Sequence, residues 1–428
     1  MTSPHTPYPH PPYLVGYPPL TPVTDAAPVA DYDVGYRPAD STAPIPATGA
    51  WRTGDPPGER QFQSLGDLPL ERGGVLPQIQ LAYETWGTLA PDGSNAILLC
   101  HALTGDSHAT SRNGSSGWWA DIVGPGKALD TNRWFVVCPN VLGGCQGSTG
   151  PSSAAPDGKP WGSRFPELTI RDMCAAEARL ADALGITQWA LVAGASFGGN
   201  RVMEWAASYP NRLRAIAVLV SAAATSAEQI AYGHSQIAAI QLDPHFHSGN
   251  YYTAPDGYGP HRGLGLAREL AHITYRCDTE LEHRFGRIPQ GNEDPLNGGR
   301  YSVVSYLEHH GDKLARRFDA NSYIAITQAW ITHDIGRGRG GTRAVLNSLA
   351  MPALVVAVDT DRLFYPRDVA ALARSLSGPT TFATVRSQYG HDGFLIENDQ
   401  VGNILREFLD NQIADSAQLE QSAEDSEK

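Results

Sequence analysis

Ser196 stands in Gly194-Ala195-Ser196-Phe197-Gly198, a G-x-S-x-G pattern with a further glycine at 199. A serine hydroxyl becomes a useful nucleophile when a neighbouring base takes its proton and a third group orients that base. On a serine turn of this kind the acid follows the serine along the chain and the histidine comes last. Beyond residue 358 one histidine remains, His391, in Tyr389-Gly390-His391-Asp392-Gly393. The acid belongs in the preceding loop, where VVAVDTDRLF (355–364) offers Asp359 and Asp361, and spacing alone does not choose between them. The chemistry such a set performs is acyl transfer through a serine ester.

Those residues need particular elements to hold them. Trp189 to Ala193 is a short apolar run that reads as a buried strand. After the glycine turn, Val202, Trp205, Ala206 and Tyr209 recur at helical spacing until Pro210. Strand, tight turn and helix would lift the Ser196 hydroxyl above a sheet, at a helix N-terminus where developing negative charge is favoured. A second strand, Ala96–Leu99, runs into His101-Ala102-Leu103-Thr104-Gly105. That loop is placed to supply one backbone N–H of an oxyanion hole, from Leu103, with Phe197 N–H as the other.

The rest of the chain alternates in the same manner. Ile79–Trp86 reads as a strand at an antiparallel edge, and Trp134–Cys138, Leu213–Val220, Ala353–Val358 and Thr381–Val385 as further strands. Leu168–Leu184 has a helical pattern. Apolar runs alternating with helices indicate an α/β fold with a mostly parallel, doubly covered sheet. The interval 222–349 has no strand pattern and instead carries helical periodicity over Ala227–Leu242, Gly265–Arg276, Val303–Phe318 and Asn321–Ile335, which is read as a lid inserted between core parts 58–221 and 350–412. Residues 1–57, rich in proline and lacking amphipathic period, read as a disordered tail, and 413–428 as an acidic one.

Composition narrows the function. A net charge of −13 over 428 residues argues against nucleic-acid and anionic-membrane partners. Five cysteines, an odd number with no C-x-x-C pair, fit a reduced cytoplasmic protein rather than a disulfide framework or zinc site. No apolar stretch approaches the ~18 residues of a membrane span, and no secretory signal pattern is present. The pairs His245/His247 and His309/His310 lack matching acidic spacing, so no metal is expected. The Gly/Ser loop Asn140–Ser153 does not fit a phosphate-binding G-x-x-x-x-G-K pattern and is read as a tight loop near the site's mouth.

The blocks HALTGDSH (101–108), NVLGGCQGSTGPSS (140–153), RFPELTIRD (164–172), GASFGGNRVMEWA (194–206), LARELAHITYR (266–276), RRFDANSY (316–323), TDRLFYP (360–366) and YGHDGFLIE (389–397) resemble, in order, the homoserine O-acetyltransferase family of the α/β-hydrolase superfamily. The resemblance implies an α/β-hydrolase fold with a helical lid. It implies Ser196 as nucleophile, His391 as base and Asp361 as the acid. It further implies that Arg268 binds the carboxylate of an amino-acid acceptor and Asp392 its α-amino group. The implied reaction moves an acetyl group from acetyl-CoA to the hydroxyl of L-homoserine, a step of methionine biosynthesis, with acetyl-CoA as co-substrate, no bound cofactor and a homodimer formed through the lid. Phe197 and Ala195 depart from the Met and Gly usual in the family, which bears on the acyl group accepted. A succinyl donor or a serine acceptor stays open on the same scaffold, as does an esterase.

Overall fold

The computed structural model describes residues 43–411, apart from residue 113. The expected tails over 1–42 and 413–428 lie outside the described residues. Eight strands form one sheet: β1 (Gln61–Pro69), β2 (Val75–Trp86), β3 (Ala96–Cys100), β4 (Phe135–Pro139), β5 (Leu191–Ala195), β6 (Ile216–Leu219), β7 (Ala353–Val358) and β8 (Thr380–Val385). Their spatial order is β1-β2-β4-β3-β5-β6-β7-β8. β1/β2 and β2/β4 pair antiparallel, and every later pair is parallel. The strand Ile79–Trp86, expected at the edge, is therefore the second strand. The edge is β1, whose pattern is hidden in sequence because its pairing with β2 shifts register twice, on either side of Gly66. Such bulges break the period-2 alternation by which a strand is recognised.

The parallel strands are buried on both faces, and their side chains divide accordingly. On β3, Leu98 joins one apolar layer while Ile97 and Leu99 join the other; on β7, Val355 and Ala357 oppose Leu354 and Val356. This is the packing that a sheet covered on both sides demands. Helices α1 (Ile170–Ala183) and α2 (Phe197–Ser208) lie on the first of these layers. Helix α1 starts at a capping box in which Thr169 accepts from the Asp172 N–H while the Asp172 carboxylate accepts from the Thr169 N–H.

Between β6 and β7 the chain leaves the sheet and returns. It forms helices α3 (Ala227–Gln241), α4 (His261–Tyr275), α5 (Asp278–Arg284), α6 (Ser302–Arg317), α7 (Ala320–Ile331) and α8 (Thr342–Leu346), with no strand among the described residues of this interval. Helices α4 and α6 cross where Gly265 meets Gly311; a Cβ on Gly311 would lie 3.0 Å from the Gly265 carbonyl oxygen, so only small residues allow this approach. Helix α3 is tied back to the core by Gln229, whose Nε2 donates to the Leu363 carbonyl at 2.7 Å, two residues past Asp361.

The stretch 43–57, read from composition as part of the solvated tail, is instead fastened between lid and core. Gly49 N–H donates to Phe318 O and Trp51 N–H to Cys145 O, at 3.0 and 2.9 Å. The Thr48 hydroxyl donates to Asp319 at 2.8 Å. Tertiary hydrogen bonds of this kind leave no trace in local composition.

Candidate active site

Strand β5 ends at Ala195, and α2 begins at Phe197. Ser196, between them, has φ 56 and ψ −125, a conformation L residues rarely adopt. The surroundings enforce it. Ser196 N–H donates to Leu219 O at 3.0 Å, and its carbonyl accepts from Asn200 N–H and, at 2.7 Å, from the Ser221 hydroxyl. Gly198 is required for the same turn: a Cβ there would sit 2.0 Å from the Cys100 carbonyl oxygen at the end of β3. The neighbouring strand end is thereby pressed against the serine turn.

The Ser196 hydroxyl lies 2.8 Å from His391 Nε2, and His391 Nδ1 lies 2.7 Å from Asp361 Oδ2. All three side chains are buried. Asp361 is fixed by its other oxygen, which accepts from the backbone N–H groups of Leu363 and Phe364 at 2.8 and 2.9 Å. Asp359, the alternative that spacing left open, turns elsewhere: its carboxylate accepts from Ser387 N–H at 2.9 Å. Phe364 stacks on the His391 ring at 5.4 Å between centroids, and Phe394 meets it edge-on. Burial works against a charged imidazole here, yet the charge and hydrogen bond of Asp361, with Asp392 adding to them, hold the His391 pKa above its ordinary value.

Leu103 and Phe197 line one cleft with Ser196, together with Tyr275, Trp330 and Leu363. The loop carrying Leu103 is anchored from below by His101. Its Nε2 accepts the Val141 N–H at 3.0 Å, which places the ring proton on Nδ1, where it donates to Ala102 O at 2.7 Å. Burial, reinforced by the Arg201 charge, pushes the His101 pKa down to about 3, consistent with a neutral ring. Arg201 itself is fully buried in an ion pair with Glu177, and Trp205 Nε1 donates to the same carboxylate at 2.7 Å. Of the two residues flanking Ser196, Phe197 lines the cleft, whereas Ala195 packs into the apolar layer on the other face of the sheet.

Helix α4 brings Thr274 and Tyr275 to this cleft and sets Arg268 against Tyr275. The Arg268 guanidinium lies 5.5 Å from the Tyr275 ring centroid and donates to the Thr104 hydroxyl at 3.2 Å. Tyr275 in turn lies 5.7 Å from the His391 ring. Asp392 follows His391 in the short turn Gly390–Asp392 and has Oδ2 3.4 Å from Arg276 Nη2. Sequence reasoning quoted Arg276, Thr104 and Arg317 within its blocks without giving them roles; in the structure Arg276 pairs with Asp392, and Arg317 and Arg268 both bond Thr104, the residue after Leu103. The loop 140–153 is largely buried, and it bonds His101 through Val141 N–H and Trp51 N–H through the Cys145 carbonyl. Among the described residues no three His, Cys, Asp or Glu side chains converge as metal ligands, and His245 and His247 meet only edge to face, at 6.3 Å.

A strand–serine–helix turn, an acid and a histidine on loops after two later strands, and a helical insertion define an α/β hydrolase. The alpha/beta hydrolase fold family matches residues 95–398. Within that class the chain belongs to the homoserine O-acetyltransferase family. A homoserine O-acetyltransferase of Thermobifida fusca (strain YX) is 56% identical over 375 residues, covering 86% of this chain and 99% of that protein. A solved homoserine O-acetyltransferase from Bacillus anthracis superposes with a TM-score of 0.75 at 26% identity, over 82% of this chain and 97% of that one. The fold is shared with hydrolases: esterase E22 superposes with a TM-score of 0.76 at 26% identity, over 82% of this chain and 99% of that one.

Proposed function

We infer that this protein transfers the acetyl group of acetyl-CoA to the side-chain hydroxyl of L-homoserine, giving O-acetyl-L-homoserine and CoA. The observation that carries the reading is the unbroken Asp361–His391–Ser196 chain of hydrogen bonds, with Arg268 of α4 bonded to Thr104 next to Leu103 of the same cleft. In the first half-reaction His391 Nε2 takes the Ser196 proton, and Oγ attacks the thioester carbonyl. The oxyanion accepts from the N–H groups of Leu103 and Phe197, an effect worth ~3–4 kcal/mol per donor in comparable sites. The C–S bond breaks, and the sulfur leaves as CoA thiol with the proton from His391. In the second half-reaction His391 takes the proton of the homoserine hydroxyl, whose oxygen attacks the acyl-enzyme. Ser196 is then released and reprotonated. Arg268 holds the acceptor carboxylate and Asp392 its ammonium, so the hydroxyl is delivered to the acyl carbon.

The lid serves this reaction by covering the acyl-enzyme, which water would otherwise hydrolyse. Exposed apolar side chains of the helical insertion, among them Leu242, Leu266 and Ile273, support a homodimer formed through the lid. Five free thiols and an acetyl-CoA donor support a cytoplasmic enzyme of methionine biosynthesis. A second reading, an esterase, is favoured by the likeness to esterase E22 and uses the same triad.

One assay separates these readings. The protein is mixed with acetyl-CoA or succinyl-CoA, with or without L-homoserine or L-serine, and free thiol is followed. Steady thiol release from acetyl-CoA that depends on homoserine is expected. Release indifferent to the amino acid would refute the transferase reading, and a preference for succinyl-CoA or serine would reassign donor or acceptor.

A further inference from the structure

Asp392 has a demanding task in the mechanism above. It must stay anionic and aimed at an ammonium while sitting one residue from the catalytic base. Arg276 is placed to govern it. It caps the C-terminal end of α4, with 5% of its surface exposed, and its Nη2 lies 3.4 Å from Asp392 Oδ2. The same guanidinium faces a second carboxylate, Glu280, through Nη1 at 3.6 Å, and Glu280 also faces Arg284 at 3.5 Å. Asp392 therefore does not hold this cation alone.

The backbone around this pair is equally constrained. Cys277 donates through Sγ to Gln388 O at 2.9 Å. A Cβ on Gly390 would come within 2.6 Å of the Tyr275 carbonyl oxygen, so the end of α4 and the His391 loop are in direct contact. Arg268 lies on α4, and Arg276 directly follows the helix's last residue, Tyr275, in extended conformation.

We propose that Arg276 is a positioning residue for acceptor recognition: it holds Asp392 by Oδ2 so that the carboxylate is directed to the α-ammonium of the amino-acid acceptor. The inference rests on the transferase reading and extends it. Helix α4 then sets the recognition of both ends of the zwitterion, the carboxylate through Arg268 and the ammonium through Arg276 and Asp392. A hydrolase of neutral esters has no use for that arrangement.

The test compares the full-length protein with Arg276→Met, Asp392→Asn and the double variant. Two acceptors are used: L-homoserine, and 4-hydroxybutanoate, which keeps the carboxylate and hydroxyl but lacks the amino group. The expected result is a loss of preference for homoserine over 4-hydroxybutanoate of roughly 10- to 100-fold in Arg276→Met, the scale of one charge-assisted hydrogen bond. That loss falls on the acceptor half-reaction rather than on CoA release during acylation. It adds little on top of Asp392→Asn, because both changes remove the same contact. Arg276→Lys, which keeps the charge but not the fork, retains part of the preference. Independent, multiplying effects of the two substitutions, or equal losses toward both acceptors, would overturn the proposal and leave Arg276 a packing residue of the lid. If Arg276→Met does not fold, the cycle is run with Arg276→Lys and judged by the same non-additivity. Failure of the transferase reading looks different, since the unaltered protein would then release thiol at one rate with and without homoserine, and both conclusions would fall.

Discussion

Arg317, the last residue of lid helix α6, donates through Nη1 to the carbonyl oxygen of Thr104 at 2.9 Å. Thr104 directly follows Leu103, whose N–H is assigned to the oxyanion hole, so the lid holds the backbone of that loop. The Thr104 hydroxyl is used differently, accepting from Arg268 at 3.2 Å. One residue thus joins two lid arginines to the two roles proposed for this site. Arg317→Gln should lower kcat by about tenfold in both half-reactions, since displacing an oxyanion donor costs less than deleting one, with little change in the KM for homoserine. Thr104→Val should do the reverse, raising that KM severalfold while leaving acylation nearly intact. Pre-steady-state measurement of each half-reaction distinguishes the two, and identical profiles would refute the division of labour.

Ser196→Ala removes the proposed nucleophile without disturbing the turn, because the Ser196 backbone bonds to Leu219 and Ser221 do not involve its own side chain. Turnover should fall by at least about 10³-fold, the loss typical for a covalent nucleophile. The melting temperature should stay within a few degrees of the parent, and the acetyl adduct seen by intact mass after acetyl-CoA addition should vanish. An adduct that persists would place the covalent step elsewhere.

Asp319 is a fully buried carboxylate that accepts from the hydroxyls of Thr48, Tyr251 and Tyr252 and from Ser322 N–H. It joins the 43–57 segment, the lid loop before α4 and the start of α7. Asp319→Ala should destabilise the fold by about 2–4 kcal/mol, because two buried tyrosine hydroxyls and the half-buried Thr48 hydroxyl lose their acceptor. Chemical denaturation would measure this. Thr48→Val should cost only about 1 kcal/mol, as a single hydrogen bond is lost.

The parts of this molecule that could be read in its sequence are those set by local pattern. The run Trp189–Ala193, the small residues around Ser196 and the spacing of Val202, Trp205 and Tyr209 encode a strand, a tight turn and a helix within twenty-odd residues, and those elements form. The choice between Asp359 and Asp361 did not lie in local pattern. It depends on how β7 ends: Asp359 N–H still bonds Val385 O on β8, and only two residues later does the chain turn to face His391. The resemblance to the family, not the spacing, selected Asp361. Arg276 escaped notice for the same reason, since its importance comes from the His391 loop folding against α4, more than a hundred residues away in sequence. The segment 43–57 misled because proline content reports the absence of a regular element, and that is compatible with firm packing.

The pH dependence follows from His391. In its proposed role as base it must be neutral to accept the Ser196 proton, and its pKa in the resting protein is held above the ordinary value of 6.5 by Asp361, against the effect of burial. Activity should accordingly rise with pH and be lost as pH falls through that raised pKa, so that kcat/KM for acetyl-CoA shows an acid limb centred above 6.5. Asp361→Asn removes the largest influence that raises the pKa and leaves burial, which lowers it. The residual activity of that variant, reduced by roughly 10³- to 10⁴-fold as for other triad acids, should have its acid limb displaced to lower pH. His101, buried and neutral, contributes no limb in this range because its pKa lies near 3. An acid limb that stays in place in Asp361→Asn would mean that a group other than His391 controls the profile.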